Sequence, residues 1–153
     1  MTGYIMELRK AIGTKPIILA GAGVILEDQM GRILLQHRTD NHTWGIPGGS
    51  MELGESYEET ARREVFEETG LVVGELDLFY LNSGQHTFYK YPNGDEVYMA
   101  CVIFTTMDFT GETQMQDDET ADLRWFHLQE IPDNINPNDY RPINDFVATR
   151  SRS

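Results

Sequence analysis

The sequence predicts a mixed α/β fold, on the basis of three observations. Short runs of apolar and β-branched residues separated by turn residues occur along most of the chain, as is typical of strands. One helix signal interrupts these runs, and a second closes the chain. The length of 153 residues fits a single hydrophobic core, so we expect one domain over 1–153.

The strands are predicted from apolar patterning and from the turns between them. A polar turn at 28–31 separates the first two strands. Asn93-Gly94 is typical of a primed hairpin turn between two later strands. The segment 3–12 fits either a helix or a strand. Strands are expected at 17–27, 32–37, 71–81, 88–91, 97–105 and 123–126, with a short extended piece near 50–52 inside the loop 41–54.

The central helix has clear boundary signals. Ser56, with Glu59 three residues further on, forms a capping box that begins the helix. Gly70 directly follows Thr69 and is the expected C-terminal stop. The closing helix is predicted over 138–150, with one apolar face formed by Ile143, Phe146 and Val147.

Composition and charge argue against several classes of function. A hydrophobic content of 40% is too high for a disordered chain. The net charge of −13 argues against a partner that is a long nucleic acid, because such binding needs a basic face. No apolar run approaches the roughly 20 residues that span a bilayer, and no signal-peptide pattern opens the chain. We therefore expect a cytoplasmic protein with no membrane partner, and a homodimer is left open.

Cys101 is the only cysteine in the chain, so no internal disulfide forms. It lies among apolar residues, which favours a buried thiol over a nucleophile.

The central helix carries an acidic stripe. Glu64, Glu67 and Glu68 are spaced i, i+3 and i+4, within an arc of roughly 100°. This arc lies beside the expected apolar positions Tyr57, Ala61 and Val65, not opposite them. Glu64 and Glu68 are a like-charge pair that costs roughly 0.2–0.5 kcal/mol in an isolated helix. Hard cations such as Mg²⁺ bind oxygen ligands, so the spacing leaves a metal site and an ordinary acidic helix open.

Elsewhere on the same helix, charges of opposite sign are spaced for pairing. Glu58 precedes Arg62 by four residues, and Glu59 precedes Arg63 by four. Both pairs have the favourable order for i,i+4 ion pairs.

The residues around this helix resemble the Nudix signature. That signature reads Gly-x5-Glu-x7-Arg-Glu-U-x-Glu-Glu-x-Gly-U, where U is aliphatic. Gly49, Glu55 and the segment 63–71 match it at every fixed position. The segments 44–49 and 123–132 also resemble parts of the family. The resemblance covers nearly the whole chain and implies a Nudix-type α/β/α sandwich with a mixed β-sheet.

The resemblance also implies an activity, namely metal-dependent attack of water on a phosphorus atom of a nucleotide-like diphosphate substrate. The implied cofactor is Mg²⁺ or Mn²⁺, held by Glu64, Glu67 and Glu68 and by the backbone carbonyl of Gly49. Arg63 would orient the glutamates, and Glu55 would hold Arg63 from the loop.

The general base is expected to be one of the helix glutamates or Glu119, in the acidic segment before the last strand. A solvated acidic loop is the equal alternative for Glu119.

Residues that read the substrate are predicted from their chemistry. Arg38 ends a strand that leads to the signature, where it could meet a phosphate. Trp44 and Tyr89, with Phe88 and Tyr91, could stack on a base or sugar. Ordinary strand packing is the alternative for most of these rings.

Within the hydrolase hypothesis, nucleoside triphosphates, dinucleoside polyphosphates, nucleotide sugars, ADP-ribose and 5′-triphosphate RNA ends all stay open. A second hypothesis is a non-catalytic Nudix-fold regulator that binds a nucleotide. Such proteins usually lack one of the signature carboxylates, and this chain has all of them. A third, isomerase chemistry on an isoprenyl diphosphate, requires a reactive cysteine that Cys101 does not provide.

Overall fold

The computed structural model describes residues 3–115 and 120–151, and its elements are numbered here in chain order. The helices are α1 (Gly3–Ile12), α2 (Tyr57–Thr69) and α3 (Tyr140–Ser151). The strands of the described residues are β1 (Ile17–Leu26), β2 (Ile33–Arg38), β3 (Trp44–Gly45), β4 (Gly48–Ser50), β5 (Val72–Val73), β6 (Asp77–Asn82), β7 (Tyr89–Lys90), β8 (Glu96–Thr106), β9 (Phe109–Thr110) and β10 (Thr120–Phe126).

The central sheet is mixed. Its strand order is β4-β1-β8-β6, with β7 paired to the first residues of β8. β1 and β8 run parallel over ten residue pairs, and the other pairings in this sheet are antiparallel. Separate antiparallel sheets are formed by β10-β2-β3 and by β5-β9.

Helices cover the central sheet on both faces, because side chains alternate along each strand. In the second half of β1, even-numbered residues pack in one core with α2, whereas Ile25 packs in a second core with α3. The first core contains Ala22, Val24, Leu26, Ala61 and Val65, and the second contains Ile25, Ile103, Ile143 and Phe146. This arrangement confirms the predicted α/β/α sandwich with a mixed sheet.

Local signals set the ends of α2, as predicted. The Ser56 side chain accepts a hydrogen bond from the Glu59 amide at 3.0 Å, and the Glu59 carboxylate accepts one from the Ser56 amide at 3.0 Å. Gly70 adopts a left-handed conformation with φ 79° and donates to the Phe66 carbonyl. A glycine suits this position because it has no Cβ to clash at positive φ.

The segment 3–12, for which helix and strand were both open, is the helix α1. Ile5 packs beneath it in a small apolar cluster with Leu19 and Val97. Arg9 donates to the backbone carbonyls of Gly13, Lys15 and Glu96, at distances of 2.6–3.0 Å. These contacts join the end of α1 to the start of β8.

The predicted strand 71–81 is divided into β5 and β6 by the segment 74–76. At Gly74 the carboxylate of Asp108 occupies the space that a Cβ would fill. The same carboxylate accepts a hydrogen bond from the Glu75 amide at 2.8 Å. Because the chain turns to form these contacts, β5 pairs with β9 while β6 joins the central sheet.

The predicted hairpin is present between β7 and β8, but the prediction of a primed turn is wrong. A primed type I′ turn needs positive φ at both central residues, and among the described non-glycine residues only His42 has one. Pro92 restricts its own φ to about −65°, so the turn forms at Pro92-Asn93. Gly94 follows with φ 96°, and its amide donates to the Tyr91 carbonyl at 2.9 Å.

None of the helices in the described ranges is long and apolar enough to cross a bilayer.

Candidate active site

A cavity of about 840 Å³ lies on the face of the central sheet opposite α2. Its floor includes odd-numbered residues of β1 and β8. Further along these strands, residues on the same face of the sheet pack against α3. Ser50, Gly21, Cys101 and Asn82 form a row of paired residues across β4, β1, β8 and β6. Neighbouring strands are about 4.8 Å apart, so this row spans roughly 14 Å. The cavity is therefore an elongated groove across four strands.

Helix α2 brings the predicted carboxylates to the β4 end of this cavity, where Glu64, Glu67 and Glu68 line it. Glu64 and Glu68 are 8% and 3% exposed, whereas the Glu67 side chain is 53% exposed. A Cβ added to Gly49 would lie 2.6–2.7 Å from the carboxylate oxygens of Glu64. Glycine is needed here for this close approach, as expected from the signature.

Arg63 joins the loop to the carboxylates. Its Nε and Nη2 donate to the two carboxylate oxygens of Glu55 at 2.7 and 2.9 Å. Its Nη1 donates to Glu64 at 2.9 Å and to Glu67 at 3.3 Å, and Nη2 also reaches the Ser50 carbonyl. The Arg63 guanidinium holds the pKa of Glu55 at about 2, well below its usual value. The structure therefore brings together the residues that the signature relates.

The predicted i,i+4 ion pairs of α2 do not form. Arg62 instead donates to the Gly74 carbonyl at 2.7 and 3.1 Å, and Arg63 turns to Glu55. Glu59 is engaged by the Ser56 amide in the capping box. Each arginine binds a partner from outside the helix. The fold already holds this carbonyl or carboxylate in place, so forming the contact orders only the arginine. An ion pair with a mobile glutamate on the helix would order two side chains and lose more side-chain entropy. Tyr57 also departs from its expected apolar position and is 36% exposed.

The donor set fits a hard divalent cation. Carboxylate oxygens are the ligands that Mg²⁺ prefers, and Mg²⁺ usually keeps several of its waters. Within residues 3–115 and 120–151, no group of three or more His, Cys, Asp or Glu side chains is arranged to enclose a metal ion. A partly hydrated cation held by one or two carboxylates is compatible with that geometry.

Arg38 lies in the cavity wall, as predicted, and is paired with an acidic residue. Its Nε and Nη2 donate to the two carboxylate oxygens of Asp40, each at 3.1 Å. Burial opposes the charge on the guanidinium, but the Asp40 contacts, together with the nearby Glu68 and Tyr91, hold the pKa of Arg38 above its usual value. Arg38 is thus a positive charge that Asp40 holds in the cavity wall.

The predicted aromatic residues separate into two groups. Tyr89 and Tyr91 line the cavity and pack edge to face at 4.9 Å. The Tyr89 hydroxyl accepts a hydrogen bond from the Asn41 side chain at 3.0 Å, across the mouth of the cavity. Phe88, 41% exposed, instead contacts Tyr98.

Trp44 differs from expectation. Its ring is buried in the core with α3, edge to face with Phe126 at 5.0 Å, and Trp44 is not among the residues that line the cavity. Arg124 lies 5.6 Å from the ring centroid, and His37 lies 4.8 Å away. These neighbours pack against the Trp44 ring, so its position does not support stacking on a substrate.

Cys101 also differs in part from expectation. It is half-buried and lines the cavity floor between Gly21 and Asn82, in place of a site in the apolar core. Burial raises the pKa of its thiol to about 12, which keeps it protonated near neutral pH and disfavours a nucleophilic role.

A cluster of polar side chains at the β6 end was missed by the sequence analysis. Asn82, Asn136, Asn138 and Asp139 line the cavity there. The Asn82 amide donates to the Asn138 carbonyl at 2.6 Å, and the Ile46 amide donates to Asp139 at 2.9 Å. Burial raises the pKa of Asp139 to about 6. The only signal was the polar run Asn136-Pro137-Asn138-Asp139 before the closing helix, which resembles ordinary helix capping.

Glu119, the candidate base outside α2, lies outside the described residues. Its predicted role stays a prediction.

Comparisons with known proteins agree with this geometry. The family model of the NUDIX domain matches residues 18–146. A putative 8-oxo-dGTP diphosphatase of Bacillus subtilis is 33% identical over 132 residues, covering 82% of this chain and 78% of that protein. The NAD-capped RNA hydrolase NudC of Actinobacillus succinogenes is 40% identical over 107 residues, covering 60% of this chain but only 37% of its own length.

Among solved structures, a MutT NUDIX hydrolase from Burkholderia pseudomallei has the same fold, with a TM-score of 0.72. It is 24% identical in sequence, and the match covers 84% of this chain and 97% of that one.

Proposed function

Because this chain belongs to the Nudix hydrolase family, we propose that it hydrolyses a nucleoside 5′-triphosphate to the monophosphate and pyrophosphate with a divalent metal ion. One observation carries this proposal, namely that different kinds of polar side chain line the two ends of the cavity. The three carboxylates of α2 lie at the β4 end, and the amides of Asn82, Asn136 and Asn138 lie with Asp139 at the β6 end, about three strand spacings away. A nucleotide has matching ends, because its phosphates bind metal and its base carries hydrogen-bonding groups.

The metal end supports the hydrolytic half of the proposal. Glu64, Glu67 and Glu68 would hold Mg²⁺ or Mn²⁺, which would supply neutralisation of the phosphate charge and activation of water for attack. Glu67 is the most exposed of the three carboxylates, which supports it over Glu64 and Glu68 as the group that would take a proton from the attacking water. Arg63 keeps Glu64 and Glu67 on the cavity side of the helix through its hydrogen bonds to both.

Arg38 supports binding of the polyphosphate. It lies in the cavity wall and is close enough to Glu68 for an electrostatic interaction. Its two hydrogen bonds to Asp40 hold the guanidinium in one orientation, so less side-chain entropy is lost when it binds a phosphate.

The amide end supports recognition of a base. The Oδ1 atom of Asn138 is buried and has no hydrogen-bond partner within residues 3–115 and 120–151. An unpartnered buried acceptor is costly, typically by about 1–3 kcal/mol, and such atoms call for an explanation. Asn138 lines the cavity, so rotation of its side chain into the cavity would let this oxygen accept from an N–H group on a purine edge. The name of the Bacillus subtilis relative, an 8-oxo-dGTP diphosphatase, agrees with a purine triphosphate.

Two alternatives receive less support. A non-catalytic nucleotide-binding regulator is not favoured, because every signature carboxylate is retained and lines the cavity or holds Arg63. A capped RNA substrate is named for the NudC relative, but this chain spans 37% of that protein and has a net charge of −13, which opposes binding of an RNA backbone.

A substrate panel tests the proposal. Purified protein with Mg²⁺ or Mn²⁺ is offered nucleoside triphosphates, 8-oxo-dGTP, dinucleoside polyphosphates, nucleotide sugars and ADP-ribose, and the products are identified by mass. We expect the highest kcat/KM for a purine nucleoside triphosphate, with monophosphate and pyrophosphate as products. A clear preference for ADP-ribose or a nucleotide sugar would replace the proposed substrate class.

A further inference from the structure

Strand β2 carries a buried amide at the position next to the carboxylates. Along this strand, Leu34 packs in the core beneath α2, whereas Leu35 packs in the core with α3. By alternation, Gln36 shares the α2 side with Leu34. Gln36 is 2% exposed and is not among the residues that line the cavity. An amide thus occupies a position where the strand pattern calls for an apolar side chain.

Gln36 lies within a chain of hydrogen bonds that joins four elements. The Thr120 hydroxyl of β10 donates to Gln36 Oε1 at 2.8 Å, and Gln36 Nε2 lies within donating distance, 3.4 Å, of Glu68 Oε1 on α2. The other oxygen of Glu68, Oε2, accepts from the Gly48 amide of β4 at 2.8 Å. Both oxygens of the Glu68 carboxylate therefore face N–H groups of fixed position.

This chain of contacts fixes the rotation of the Glu68 carboxylate. A carboxylate held through one oxygen can rotate about its last bond, whereas one held through both oxygens cannot. The amide orientation also matters, because a carboxylate repels the amide oxygen and attracts the amide N–H. Thr120, which is 6% exposed, engages the amide oxygen and so leaves the N–H group toward Glu68. A buried amide costs stability unless its hydrogen bonds are made, and here they are made toward the active site.

We infer that Gln36 is a positioning residue, which sets the orientation of Glu68 for metal binding and is itself oriented by Thr120. The inference rests on the proposed function, since it assumes that Glu68 binds a divalent cation. Loss of a side chain that hydrogen-bonds to a metal ligand typically lowers metal affinity or activity by about 10–100-fold. Gln36 acts through Glu68 without touching the substrate, so it affects the dependence on metal and leaves nucleotide binding at saturating metal unchanged.

The test measures Mn²⁺ binding without substrate. Free Mn²⁺ is titrated by electron paramagnetic resonance against the full chain and Gln36→Met, which removes the amide but keeps the side-chain length. We expect Gln36→Met to raise the Mn²⁺ dissociation constant about tenfold. The metal concentration for half-maximal turnover should rise in parallel, while the KM for nucleotide at saturating metal should stay within twofold.

Thr106→Val is the matched control for loss of a buried hydrogen bond. Thr106 is 5% exposed and its hydroxyl donates to the Glu75 carbonyl, away from the cavity. It should lose stability without a change in Mn²⁺ affinity. If Gln36→Met does not fold, Thr120→Val and Thr120→Ser are compared instead. Thr120→Ser keeps the hydroxyl that donates to Gln36 and should retain the wild-type Mn²⁺ affinity. Thr120→Val lacks this hydroxyl and should bind Mn²⁺ more weakly.

The outcomes separate this inference from the proposed function. Wild-type Mn²⁺ affinity in folded Gln36→Met, or equal affinity in the two Thr120 variants, would overturn the role of Gln36 and leave the hydrolase proposal intact. Absence of Mn²⁺ binding by the wild-type chain would overturn both.

Discussion

Arg63 on α2 and Glu55 in the preceding loop form a two-point contact, with Nε and Nη2 donating to separate carboxylate oxygens at 2.7 and 2.9 Å. The two residues are eight positions apart, so the contact closes the loop onto the first half of the helix. The third nitrogen of Arg63 is directed to Glu64 and Glu67. The position of the loop and the position of the carboxylates are therefore linked through one guanidinium.

Arg63→Lys should lower both activity and stability. An ammonium group cannot reproduce the fork of donors that meets Glu55, Glu64 and Glu67 together. We expect kcat/KM to fall at least about tenfold and the free energy of unfolding to fall by about 1–3 kcal/mol. Steady-state kinetics and urea unfolding measure the two effects. Arg62→Lys is the control, since the hydrogen bonds of Arg62 to described residues all go to the Gly74 carbonyl, and its kcat/KM should stay within twofold. Equal effects in the two variants would contradict the role of Arg63.

Gly49→Ala and Gly48→Ala should differ in kind. A Cβ at Gly49 would meet the Glu64 carboxylate at 2.6–2.7 Å, and a side chain can move away. A Cβ at Gly48 would meet the backbone of β1, including the Gly23 Cα at 2.5 Å, which cannot. We therefore expect Gly49→Ala to lose activity more than stability, and Gly48→Ala to lose stability by about 1–3 kcal/mol or more. Kinetics and thermal unfolding check this, and parental turnover by Gly49→Ala would count against close approach of Glu64 in the working site.

Asp139→Asn should remove a pH dependence of stability. Burial raises the pKa of Asp139 from 3.8 to about 6, so between these values the folded protein holds a proton that the unfolded chain has lost. The stability from this proton is fully present below pH 3.8 and is lost as the pH rises through about 6. The variant can still accept the Ile46 N–H, so its stability relative to wild type should increase across this range.

Urea unfolding from pH 4 to 7 measures the effect of Asp139. Asp145→Asn, an exposed change on α3, is the matched control and should show no such trend. A constant difference between wild type and Asp139→Asn at all pH values would mean that Asp139 titrates normally in the folded protein.

Asn138→Ala should weaken recognition of the base. Its buried Oδ1 has no partner in the part of the chain that the structure describes, and a hydrogen bond to a substrate would contribute about 0.5–1.5 kcal/mol. We expect kcat/KM for the preferred nucleoside triphosphate to fall about three- to tenfold, with a smaller change for a triphosphate that carries a different base. Asn134→Ala, at an exposed asparagine that donates to the His42 carbonyl, should behave as wild type. Equal losses for all bases would show that Asn138 does not read the base.

The sequence predicted the elements whose signals are local. The capping box at Ser56, the stop at Gly70 and the stripe of Glu64, Glu67 and Glu68 all depend on residues within one helix. The need for glycine at position 49 could also be predicted, because the signature contains both this residue and the helix that approaches it.

Features that depend on distant contacts could not be predicted in this way. Trp44 looks like a stacking platform in a loop, yet Phe126 from β10 and helix α3 enclose it. The partners of Arg62 come from another segment, so helical spacing gave the wrong pairs. Asp139 belongs to the site only because α3 returns to the end of β6, which no local pattern reveals.

The most direct test of metal-dependent hydrolysis at the α2 carboxylates is pyrophosphate release from a purine nucleoside triphosphate. Wild type, Glu67→Gln and the control Glu58→Gln are compared after chelation and after addition of Mg²⁺. We predict no pyrophosphate release without metal. With Mg²⁺, wild type and Glu58→Gln should release pyrophosphate fully and Glu67→Gln should release none. Glu67→Gln should still unfold at nearly the wild-type urea concentration, because the Glu67 side chain is 53% exposed. Undiminished release by Glu67→Gln, or release by chelated wild type, would contradict the account.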